Sequence, residues 1–79
     1  LKFSYKEQRE FETIDEDIAA LESAIEEVGG RIAEAGSDYC KLQELTAKRD
    51  ELTAALDEKM ERWVYLNDLV EKIEAQKRN

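Results

Sequence analysis

Between Leu42 and Ile73, apolar side chains recur at Leu42, Leu45, Leu52, Leu56, Trp63, Leu66, Val70 and Ile73, and neither proline nor glycine interrupts them. The alternating three- and four-residue spacing gathers these groups into one seam along a long helix. A single apolar stripe cannot bury itself, so such a helix requires a partner. The chain supplies one. Phe11, Ile14, Ile18, Leu21, Ile25, Val28 and Ile32 repeat the same spacing upstream.

Local signals bound both segments. Ser4 followed three residues later by Glu7 is a capping box, in which hydroxyl and carboxylate satisfy each other's backbone N–H, so the first helix is expected at about 5–35. Gly36, Ser37 and Asp38 make the turn: glycine suits the left-handed residue past a helix end, and Ser37 or Asp38 can cap the second helix, expected at about 39–76. Gly29 and Gly30 fall on the outer side of the first seam. The helix is expected to pass through them, weakened by roughly 1 kcal/mol each relative to alanine. A loosened, hinging tip is the alternative.

So short a connection makes the helices antiparallel neighbours, and the fold class is all-α, a two-helix antiparallel coiled-coil hairpin forming a single domain over 1–79. With the turn near Ser37, residues whose numbers sum to about 74 lie level, which sets Phe11 beside Trp63, Ile18 beside Leu56 and Glu10 near Arg62. Arg49 and Lys59 occupy seam positions, where their stems can cover the seam while the charges reach Asp15, Glu22 or Glu26. Met60, Tyr65 and Leu69 lie beside the seam, where a homodimer could cover them in a four-helix bundle.

The 79 residues and 41% charged side chains describe a chain that is mostly surface, too small to enclose a substrate pocket on all sides. Histidine is absent and Cys40 is the one cysteine, which removes the usual neutral-pH base, an internal disulfide and a cysteine zinc site. Cys40, in the first turn of the second helix, reads as an ordinary exposed thiol. No phosphate-cradling glycine loop occurs. The domain is therefore expected to be non-catalytic, with no cofactor of its own. With no apolar run long enough to span a membrane and no signal-peptide pattern, a cytoplasmic location without membrane partners is expected.

The net charge of −8 opposes a generic nucleic-acid binder, but the charge is unevenly placed. Residues 1–9 sum to +2, residues 10–38 to −9 and residues 39–79 to −1. The first helix is an acidic rod with a basic start. Phe3, Tyr5, Phe11, Trp63 and Tyr65 project near the open end of the hairpin together with Lys2, Lys6, Arg9, Lys59, Arg62, Lys72, Lys77 and Arg78. Interleaved aromatic and basic groups can follow a nucleic-acid backbone and stack on bases, although Phe11 and Trp63 also read as core.

Three stretches carry a resemblance. Leu1-Lys2-Phe3-Ser4-Tyr5-Lys6-Glu7-Gln8-Arg9-Glu10-Phe11, Ser37-Asp38-Tyr39-Cys40-Lys41-Leu42 and Glu61-Arg62-Trp63-Val64-Tyr65-Leu66 resemble the opening, turn and closing segments of the C-terminal coiled-coil domain of ABC-F ATPases, particularly the Uup type. The resemblance implies a tail of a larger ATPase whose two cassettes, elsewhere in that chain, bind ATP and Mg. It further implies an arm that helps its parent dock on DNA or the ribosome. Because an acidic first helix repels a duplex laid along it, the contact is expected at the basic open end, through Lys2, Lys6, Arg9, Arg62, Lys72, Lys77 and Arg78. Two alternatives remain. One is a structural dimerisation module that binds no nucleic acid. The other is a tRNA-gripping arm like that of seryl-tRNA synthetase, which would need base-rich outer faces.

Overall fold

The computed structural model describes residues 1–78. Helix α1 spans Tyr5–Ala35 and helix α2 spans Tyr39–Arg78. The two run antiparallel as a rod of 62 × 15 × 14 Å, and α2 alone, at ~1.5 Å per residue, accounts for nearly all of that length. The expected helical hairpin is what the chain forms, with no strand among the described residues.

The capping box is complete. The Glu7 amide donates to Ser4 Oγ at 3.2 Å and the Ser4 amide donates to Glu7 Oε1 at 3.0 Å. At the other end of α1, Gly36 has φ 59 and ψ −116. These are not the left-handed helical values expected of a residue past a helix end. They are those of the first central residue of a type II′ turn, closed by the Asp38 amide donating to Ala35 O at 3.1 Å. Asp38 then caps α2, its Oδ1 accepting from the Lys41 amide at 3.2 Å. Helix α1 continues through Gly29 and Gly30 without a break.

Each seam faces only one neighbour, so the core is thin. Ile14 and Val28 from α1 and Leu66 and Leu69 from α2 are buried, while the remaining seam residues, from Phe11 to Ile32 and from Leu42 to Ile73, are mostly half-covered. Two positions depart from the expected pattern. Leu69, expected beside the seam, is core, whereas Trp63, expected within it, is 39% exposed. A straight α-helix drifts about 20° per heptad against a 3.5-residue repeat, so a seam drawn at Leu42 no longer faces α1 squarely four heptads later. Of the two charged seam positions, Lys59 is part-buried and reaches Asp17 at 3.5 Å, two residues on from Asp15 and none of the three acids expected. Arg49 is exposed and makes no ion pair among the described residues.

Candidate functional site

At the open end of the rod the two helices are tied by polar bridges rather than by apolar packing alone. Arg62 donates from Nε and Nη2 to the two oxygens of Glu10 at 2.8 and 2.7 Å, and the expected pairing of these residues is thus observed. The same guanidinium lies over the Tyr65 ring, 4.7 Å from its centroid. The Tyr65 hydroxyl donates to Glu7 Oε2 at 2.7 Å. One turn further in, the Trp63 indole N–H donates to Asp15 Oδ1 at 2.9 Å. Ser4, Glu7, Tyr65, Arg62 and Glu10 therefore form one connected network that starts at the cap of α1 and crosses to α2.

The network polarises its members. Glu7 titrates below the ordinary 4.5, chiefly because the Ser4 amide bonds its carboxylate and then because Tyr65 does. Glu10 is lowered by its bond from Arg62. Donating to Glu7 raises Tyr65 above 10.0, and donating to Glu10 raises Arg62.

The seven candidate cations separate into two sets. Arg62 is neutralised by Glu10, and Lys72 by Asp68 at 3.0 Å one turn before it on α2. Lys2, Lys6, Arg9, Lys77 and Arg78 are exposed and form no ion pair among the described residues. Lys2 and Lys77 line one groove, floored by Phe3, Phe11, Val70 and Ile73, so the basic lead-in and the basic end of α2 share this end of the rod. Phe3 and Phe11 meet with ring centroids 5.4 Å apart. Arg9 lies beside Tyr5, Nη1 donating to the hydroxyl at 3.3 Å. The i, i+4 spacing of Tyr5 and Arg9 was the sequence signal for that contact. The Tyr65 bridge to Glu7, in contrast, depends on the rotation of α2 about its axis.

Among the described residues no group of three or more cysteines and acids is arranged to hold a metal ion. No helix among them is long and apolar enough to cross a membrane. Cys40 is exposed and unpaired.

A family model for the ABC transporter C-terminal domain matches residues 2–68, which take in α1, the turn and most of α2. The chain belongs to that family. The resemblance drawn from the opening, turn and closing segments is thereby borne out. An uncharacterized ABC transporter ATP-binding protein of Bacillus subtilis (strain 168), YfmR, is 40% identical to this C-terminal domain over 74 residues. That match covers 94% of the chain and 12% of YfmR. No solved structure matches. The part of the domain matched by the family model contains Lys2, Lys6, Arg9 and Arg62, whereas Lys72, Lys77 and Arg78 lie beyond it.

Proposed function

We propose that this domain is the non-catalytic C-terminal arm of an ABC-F type ATP-binding protein, and that it helps its parent bind nucleic acid, either DNA or the ribosome. The observation that carries the proposal is the segregation of charge. Lys2, Lys6, Arg9, Lys77 and Arg78, exposed and without an ion pair among the described residues, share the open end, while α1 beyond Arg9 is acidic. Phosphate contacts position a protein on nucleic acid, and cations already held by carboxylates contribute less to them. The free set is therefore the contact surface, with Arg62 and Lys72 in supporting places. On this reading ATP and Mg belong to the parent's cassettes, the arm and parent work in the cytoplasm, and a thin rod without an enclosed cleft performs no chemistry.

The parent protein with and without this domain, sedimented with ribosomes and separately with DNA, tests the proposal. Removal of the domain is expected to lower the bound fraction in at least one of the two. Unchanged binding in both would overturn it.

A second reading is favoured by the exposure of Met60 and Val64 on the outer side of α2. A second copy could cover them in a four-helix bundle, which concentration-dependent sedimentation would reveal. Asp57, Glu61, Asp68 and Glu71 lie on the same side of α2, and like charges brought together there oppose such a dimer.

A further inference from the structure

The open end also carries an aromatic ring that no packing explains. Tyr5 is 78% exposed. Every other aromatic group is either engaged or badly placed for an anion. Phe3 and Phe11 pack against each other with tilted rings and line the groove between the helices. Trp63 is bonded to the carboxylate of Asp15. The face of Tyr65 is covered by Arg62, and its hydroxyl is held by Glu7. Tyr39 is exposed too, but it sits at the opposite end of the rod beside the acidic cap Asp38. Tyr5 has three exposed cations within four residues along the chain, Lys2, Lys6 and Arg9, none of them in an ion pair among the described residues, whereas Tyr39 has one, Lys41. The Arg9 guanidinium carbon lies over the ring, 6.0 Å from its centroid, and its Nη1 donates to the hydroxyl, so Arg9 engages one side of a ring that is still 78% exposed.

We infer that Tyr5, flanked by Lys2, Lys6 and Arg9, is a stacking site for an unpaired nucleotide, so that this arm grips single-stranded rather than duplex nucleic acid. The inference rests on the nucleic-acid reading above and names its ligand. Two physical arguments select the single strand. In a duplex each base face is already stacked on its neighbours, and an exposed tyrosine ring gains nothing there, whereas base–aromatic stacking is the sequence-tolerant element of single-strand binding. The basic surface of α1 also ends at Arg9, and Glu10, Glu12, Asp15, Glu16 and Asp17 follow at once. A duplex is stiff over about 150 base pairs and would have to lie against those acids or leave the rod steeply, while a flexible strand of a few nucleotides can occupy the basic turn and curl away. DNA and RNA both present unpaired bases, and the shared chemistry is a base face next to a phosphate.

Fluorescence anisotropy of the 79-residue chain with labelled oligo-dT, labelled oligo-rU and a duplex of equal phosphate number tests the inference at low salt. Circular dichroism checks the helicity of each variant. Alanine at Tyr5, the first residue of α1, suits a helix, so Tyr5→Ala should keep its fold. Single strands are expected to bind several-fold more tightly than the duplex. Tyr5→Ala should weaken single-strand binding about tenfold and leave duplex binding unchanged, while Tyr5→Phe should stay within about twofold of the parent. Lys6→Glu should weaken both. The dT and rU arms show which strand chemistry is preferred. Duplex binding as tight as single-strand binding, or single-strand binding indifferent to Tyr5→Ala, would overturn the stacking site and leave the nucleic-acid role standing. No binding to any of the three would overturn both.

Discussion

Arg62 on α2 spans the hairpin to hold both carboxylate oxygens of Glu10 on α1, at 2.7 and 2.8 Å. The pair is two-pronged, and it fixes the register of the open end in a way that the sliding contacts of an apolar seam do not. Its side chains remain partly exposed, so its worth is discounted for solvent screening. A double-mutant cycle with Arg62→Ala and Glu10→Ala is expected to give a coupling of about 0.5–1 kcal/mol, measured by urea unfolding, and to shrink at high salt.

The same network makes a pH prediction. Glu7 and Glu10 are depressed below 4.5 in the folded chain. The stability they contribute is present above their unfolded value and lost as pH falls through the lower, folded one. Protonation of the other acids relieves repulsion over the same range in a chain of net charge −8. The informative quantity is therefore the difference between parent and Glu10→Gln. In thermal melts that difference should be constant well above pH 4.5 and shrink away as the pH falls below it. Tyr65 is shifted upward from 10.0. Its advantage over Tyr65→Phe should accordingly persist below that value and disappear as the pH climbs past it.

Burial predicts which leucines matter. Leu66 is 0% exposed and Leu69 is buried, while Val64 is open to solvent. Leu66→Ala should cost about 2–4 kcal/mol, a large share of the stability of so thin a domain, and Leu69→Ala a similar amount. Val64→Ala should stay within about 0.5 kcal/mol. Chemical denaturation distinguishes these values readily.

Two kinds of glycine should answer oppositely to alanine. A methyl group at Gly29 or Gly30 would meet nothing within 4 Å, in the middle of a continuous helix. Each substitution is expected to stabilise by about 0.5–1 kcal/mol. Gly36 has a positive φ with a ψ that a side chain disfavours, and Gly36→Ala should cost about 1–3 kcal/mol despite equally open space around it. The melting temperatures of the three variants settle the order.

Much of this fold was legible in the sequence because the signals were local. Ser4 and Glu7 announce the start of α1 through a two-residue code, Asp38 caps α2, and a three-residue connection forces the antiparallel arrangement that brings Glu10 to Arg62. What escaped depends on how each helix is rotated about its own axis. A heptad ruler laid from Leu42 put Trp63 in the core and Leu69 outside it, and accumulated drift reverses those two by the end of α2. At the open end the basic residues could be counted from the sequence. That Lys72 is already paired with Asp68, while Lys2, Lys6 and Arg9 gather around an exposed Tyr5 ring without an ion pair among the described residues, could be seen only once side chains were placed.

A salt titration tests the nucleic-acid contact at the open end most directly. Anisotropy of the 79-residue chain with labelled single-stranded DNA, duplex DNA, branched DNA and structured RNA at several salt concentrations should show binding that weakens with a log–log slope of about −3.5 to −4.5, as five released counterions require. Reversing Lys2, Lys6 and Arg9 to glutamate should abolish it, whereas Arg62→Gln should leave most of it. Absence of binding to all four at low salt, or binding unmoved by the triple reversal, would contradict a nucleic-acid contact at the open end.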